Sequence, residues 1–174
     1  MTPTETATPA DDLLRFLQQM RRLRAETRTP AAWHCHGPED FILTHGRPWA
    51  TAPKPAAIRW GPRKACFGNA YRLAVRHPEF VYVEGYAIAH IAVHHAWVVD
   101  RAGVVIDNTW RPDRVLSPRD FAYYGVPFKT DYVVDMAARQ QCFGVLYPNQ
   151  VAGRGGWTLM TDDPAMFLHP LEVT

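Results

Sequence analysis

Cys66, His95 and Asp107 follow one another along the chain, the second in the string His95-Ala96-Trp97 and the third in Asp107-Asn108-Thr109-Trp110. A thiol, an imidazole and a carboxylate are the nucleophile, the base and the group that orients the base in thiol acyl-transfer chemistry. A thiol attacks as its thiolate. The spacing predicts a helix over 64–76, which puts Cys66 in a first turn, where unpaired N–H groups and the helix dipole favour negative charge. Arg63 and Lys64 add positive charge, and Gly68 leaves the neighbouring surface uncrowded. The same N–H groups, that of Cys66 among them, are candidate donors to the oxyanion of a tetrahedral intermediate. For any single cysteine the plain alternative is a small buried hydrophobe. That reading suits Cys142, on the apolar side of a later predicted helix, and leaves open Cys35, which sits between His34 and His36.

The partners of Cys66 depend on a hairpin. If residues 101–103 form a three-residue loop with Gly103 left-handed, residue 95 falls opposite 109. His95, Asp107 and Thr109 then share a face, with Asp107 diagonal to His95 at roughly 7–8 Å between backbones, a gap these side chains can bridge. A carboxylate there fixes the imidazole tautomer and supports the imidazolium. With a two-residue loop, His95 faces Asn108 instead, and an amide can also orient an imidazole; register decides between Asp107 and Asn108. Alternation sends His94 to the other face. Trp97 and Trp110 either wall the site or belong to the core.

The supporting elements are legible from pattern. Residues 1–10 read as a disordered tail and 11–174 as one domain. Asp11 or Asp12 can cap a helix running to about residue 28, with Leu13, Leu14, Leu17, Met20 and Leu23 on one side and a solvated, arginine-rich face opposite. Residues 29–62 read as a long loop with a short strand or helix around Phe41-Ile42-Leu43. In the helix over 64–76, Phe67, Ala70, Tyr71 and Ala74 fall on one face. Three strands are predicted at 80–89, 93–99 and 104–110 from their β-branched and aromatic content. Tyr82, Glu84 and Tyr86 share one side of the first of these, and Glu84 and Tyr86 are candidate substrate contacts, as are Trp97 and Asn108. Tyr123 to Phe128 reads as aromatics and a turn bordering the cleft. Helix starts are predicted at 117–120 and 161–164, a helix at 131–143 and a loop at 153–156. The resulting fold class is α+β.

Bulk properties exclude several classes. The 174 residues carry a formal charge of only +2, so a nucleic-acid partner is not expected. No apolar run approaches the ~18 residues of a membrane span. The polar opening lacks the layout of a secretion signal. Three cysteines cannot all pair within the chain, which points to a reduced, cytoplasmic compartment.

Taken together, Cys66-Phe67-Gly68-Asn69-Ala70, Val83-Glu84-Gly85-Tyr86, His95-Ala96-Trp97-Val98 and Ile106-Asp107-Asn108-Thr109 resemble the transglutaminase-like branch of the papain-like cysteine enzymes. That branch shows a helix-borne Cys, a strand ending in Gly-Tyr, a His-Ala-Trp strand and an Asp-Pro-Thr strand end; here Asn108 replaces the usual Pro. The likeness covers about residues 60–128. It implies a papain-like core, with the nucleophile's helix on an antiparallel sheet, and a Cys66–His95–Asp107 triad. The chemistry implied is acyl transfer on an amide or ester through a thioester. Hydrolase, thiol protease and transferase activities all occur in the group. An oxyanion donor upstream of the Cys is common there, and Trp60 stands in that position. The expected partner is a protein, peptide or small amide or ester substrate, with no cofactor and no metal. The arylamine acetyltransferases use the same triad, but their Arg-Gly-Gly lead into the Cys is replaced by Gly61-Pro62-Arg63-Lys64-Ala65.

Two other classes compete. One is a non-catalytic binding or inhibitory module on the same fold. The other is a metal site built from His34, Cys35, His36, His45, His90 or His94, although no recognised zinc spacing appears.

Overall fold

The computed structural model describes residues 7–27, 29–111, 117, 120–147 and 158–171. Helix α1 spans Pro9–Ala25. Its cap is Thr8, which accepts from the Asp11 amide while the Asp11 carboxylate reaches back to the Thr8 amide. The capping residue is therefore Thr8 rather than Asp11 or Asp12, and Pro9 and Ala10 are helical, inside the segment read as a tail; residues 1–6 lie outside the described residues. Leu13 and Leu17 are its buried residues, and Leu14 and Leu23 face outward.

The stretch read as a long loop contains helix α2 (Pro38–His45) and strand β1 (Arg47–Trp49). Helix α3 (Cys66–Arg76) follows, then β2 (Val81–Ile88), β3 (Ala92–Val99), β4 (Val105–Ile106), β5 (Ala122–Phe128) and α4 (Thr130–Gln140). Short 3₁₀ turns at Thr158–Met160 and Pro164–Met166 end the described chain, the second capped by Asp163. The segment 118–119 of one predicted helix start, the predicted loop at 153–156 and the far end of the tail lie outside the described residues.

The strands form one sheet in the order β1-β5-β2-β3-β4, with every neighbouring pair antiparallel. The sheet curls until its edges meet: Ala50, just after β1, bridges Val104, just before β4, and the Val105 amide donates to the Ala50 carbonyl at 2.9 Å. The curl encloses Trp49, Val83, Ala87, Trp97, Val99, Val105 and Tyr123. The outer face carries Tyr82, Tyr86, Ala96, Val98, Val126 and Phe128, which meet the buried sides of α1, α2, α3 and α4.

Three sequence expectations change here. Residues 123–128 are not a turn at a cleft edge but most of β5, paired to β1 on one side and β2 on the other. Pro127 is tolerated because β1 covers only 123–125 and the Pro127 carbonyl instead accepts from the His169 amide at 3.0 Å. Gly125 is required where the Trp97 ring crosses it, since a Cβ there would lie 2.7 Å from the ring and 2.8 Å from the Glu84 carbonyl. The predicted strand over 104–110 stops at Ile106, because Asp107 turns its carboxylate back onto the Thr109 and Trp110 amides. The buried stripe of α3 is Cys66, Ala70, Leu73 and Ala74; Phe67 and Tyr71 flank it half-buried, with the Phe143 ring 4.9 Å from that of Tyr71. Among the described residues no helix is long and apolar enough to cross a membrane.

Candidate active site

The hairpin between β3 and β4 sets the geometry. Val98 pairs with Ile106 and Val99 with Val105, the register that would place 95 opposite 109. Gly103 takes φ 75°, as a three-residue loop requires, and Asp100 accepts from the amides of Ala102 and Val104. His95 and Asp107 consequently meet: His95 Nε2 lies 2.7 Å from Asp107 Oδ2. Asn108 points elsewhere, its Nδ2 donating to the Arg59 carbonyl at 3.4 Å.

Asp107 is fully engaged. Oδ2 also accepts from the Tyr123 hydroxyl at 3.0 Å, and Oδ1 accepts from the amides of Thr109 (2.7 Å) and Trp110 (3.2 Å). The His95 ring stacks on Trp110, centroids 4.6 Å apart and planes at 30°. Burial alone would push the His95 pKa down. The charge and hydrogen bond of Asp107 outweigh it, the nearby Cys66 adds to the effect, and the pKa rises to about 9. Burial pushes the Tyr123 hydroxyl far up, and Asp107 adds to that, so it remains a donor.

Cys66 begins α3, and its thiol lies near enough to His95 to favour the protonated ring. Because β4 ends at Ile106, β3 has β2 as a partner at His95 but nothing paired on its β4 side, and α3 packs against β3 and β2. The tip is docked by Asn69, whose Nδ2 donates to the Pro62 carbonyl and to Thr109 Oγ1, both at 2.8 Å. Gly61 makes this possible: a Cβ there would sit 2.4 Å from the Asn69 amide, and the Gly61 N–H donates to the Asn108 carbonyl at 2.9 Å. The helix N-terminus has no side-chain cap and no acid in its first turn, and Lys64 ahead of it holds φ 62°, an uncommon conformation for a residue with a side chain. First-turn N–H groups are thus left for an anion.

No family model, curated protein or solved structure matches the chain.

The other site expectations fare differently. Glu84 is not a substrate contact. It is 0% exposed on the outer face and accepts from the Tyr82 hydroxyl and the amides of Val145 and Leu146, with His94 Nε2 2.9 Å away. Tyr86 is buried too, donating to Glu39, a second buried carboxylate that also binds Tyr147 and Arg24. Both lie on the opposite face of β2 from the residues that face His95, because β2 is covered on both sides and its polar residues needed internal partners. Trp97 is 1% exposed and belongs to the interior of the curl rather than to a substrate wall. Trp60 is half-exposed, with Lys54 and Arg111 over its ring. It lines a small cavity of about 30 Å³, room for about one water, which reaches Asp107, Trp110 and Tyr123. Cys66 itself is 8% and His95 2% exposed, and Cys66 lines neither this cavity nor the larger one described below.

The sequence put Tyr123 at the cleft border and Thr109 on the face of His95 and Asp107, but not the Tyr123 bond to Asp107 or the Asn69 bond to Thr109. The one available signal was parity: Tyr123 shares a face of β5 with Gly125, over which Trp97 lies. Cys35 is buried with its pKa raised by burial and by Asp40, and Cys142 bonds Gln140. Among the described residues no three His, Cys, Asp or Glu side chains converge as a metal site. His34 instead contacts the Thr161 carbonyl, and His36 contacts Thr29.

Proposed function

We propose that this chain is a cysteine-dependent acyl-transfer enzyme, a divergent member of the transglutaminase-like branch of the papain-like enzymes, with Cys66, His95 and Asp107 as its triad. The observation that carries the reading is the buried His95 ring, bound to the Asp107 carboxylate at 2.7 Å, with the Cys66 thiol near enough to favour its protonated form. A protonated imidazole is the counter-ion a thiolate needs. In this reading the Cys66 thiolate attacks an amide or ester carbonyl. N–H groups at the start of α3, with Trp60 as a further donor, hold the oxyanion. His95 protonates the leaving amine or alcohol, and a thioester remains on Cys66. Water then gives hydrolysis, and an amine gives transfer. A helix-borne Cys beside an antiparallel sheet supports the papain-like core.

Burial of Cys66 and His95 favours a second reading, a non-catalytic module that keeps the three residues as a packed polar cluster. Iodoacetamide labelling with peptide mapping separates the two. The enzyme reading expects Cys66 to be carboxamidomethylated at neutral pH ahead of Cys35 and Cys142, and expects that preference to disappear in His95→Ala. Equal slow labelling of all three thiols would overturn it.

A further inference from the structure

A larger cavity, about 400 Å³, also has Trp60 in its lining. Its walls are residues 57–62, the flank of α3 carrying Asn69, Arg72, Leu73 and Arg76, then His77, and Asn108. That volume is within the range of small-molecule sites.

Its charge is one-sided. Arg59, Arg72 and Arg76 line it together with His77, and among the described residues no Asp or Glu does. Arg72 and Arg76 are four residues apart on one helix face, and Arg59 belongs to the 57–62 segment that lines the cavity with them. Arg72 is oriented: its Nη2 donates to Asn69 Oδ1 at 2.7 Å. Among the described residues, the one acid ion-paired to this lining is Glu79, 3.3 Å from His77 Nδ1 and outside the cavity lining. Three guanidinium groups around one concavity repel one another, and an anion between them removes that repulsion. Guanidinium forks match the oxygens of phosphate and carboxylate. The Trp60 ring and the Asn108 amide supply the apolar edge and the polar edge of a small-molecule site.

We infer that this cavity binds a small ligand carrying at least two neighbouring negative charges, phosphate or carboxylate, held by Arg59, Arg72 and Arg76. The site does not include Cys66, so it stands apart from the proposed triad.

Isothermal titration of the full chain with inorganic pyrophosphate and, separately, with citrate tests it. Binding of at least one is expected. Arg59→Gln/Arg76→Gln, which alters two exposed side chains, should weaken it about tenfold or more. Arg76→Glu alone should act in the same direction. Arg22→Gln on α1 and Cys66→Ala should bind as the unaltered chain does, which separates this site from the triad. Binding of pyrophosphate alone assigns a phosphorylated ligand, and binding of citrate alone assigns a polycarboxylate. Absence of binding of both at millimolar concentration, or equal binding by the double variant, would overturn the assignment.

Discussion

His94 and His95 are adjacent in β3, point to opposite faces of the sheet, and each meets a buried carboxylate: Glu84 at 2.9 Å for His94, Asp107 at 2.7 Å for His95. The two pairs do different things. Glu84 and His94 tie the segment after α4 to the outer face, through the amides of Val145 and Leu146 and through the Tyr147 ring 4.3 Å from His94. Asp107 and His95 sit where the sheet opens and the tip of α3 arrives.

Asp107→Asn tests the second pair. An amide cannot balance a protonated ring as a carboxylate does, so His95 should lose much of its proton near neutrality. Iodoacetamide modification of Cys66 at pH 7 should slow about tenfold or more, while Asn108→Ala, which removes a side-chain hydrogen bond to the Arg59 carbonyl, should leave the rate close to unchanged. A rate in Asp107→Asn equal to that of the unaltered chain would remove the carboxylate from the mechanism.

The pKa of His95 also fixes a stability profile. The folded protein holds the ring proton up to about 9, whereas the unfolded chain releases it near 6.5. The stabilisation from this group is therefore whole below pH 6.5 and is lost as pH rises through about 9. Urea midpoints at pH 6, 7.5 and 9 should fall more steeply for the unaltered chain than for His95→Gln. Parallel profiles would mean that the folded ring does not retain its proton.

Glu84→Ala should be among the most damaging single changes. It leaves two buried amides and the Tyr82 hydroxyl without their acceptor, at a cost of about 3 kcal/mol or more by chemical denaturation. Glu84→Gln keeps one carbonyl oxygen and should lose less. Limited proteolysis should find new cleavage within residues 141–147 in Glu84→Ala first; unchanged resistance there would show that other contacts hold the segment.

Gly61→Ala drives a Cβ into the Asn69 amide, which is held by Pro62 and Thr109. The expected cost is about 1–3 kcal/mol. Because Asn69 docks the tip of α3, the labelling rate of Cys66 should change along with stability. A stability loss with an unaltered rate would separate the dock from the position of the sulfur.

Local chemistry made part of this legible. Gly103 after Asp100-Arg101-Ala102 set the loop length, the loop length set the register, and the register brought Asp107 rather than Asn108 to His95. The helix starting near Cys66 followed from periodicity, and the strands around 81–88 and 92–99 from their β-branched and aromatic content. Strand β5 did not, because Gly125 and Pro127 are turn residues by local preference, and only the cover of β2 and the early end of β1 make a strand of them. Glu84 and Tyr86 looked like cleft residues because an alternating strand normally has one wet face.

The sequence alone determined residue types, their order, and the local turns and helices, since these depend on neighbours within a few positions. Which face of β2 was buried, that both were, and that the edges at Ala50 and Val104 close the sheet were decided by the tertiary structure. So were the docking of α3 at the end of β4 and the gathering of three arginines around one cavity. Those contacts join separate segments of the chain, and no local preference encodes which of them will meet.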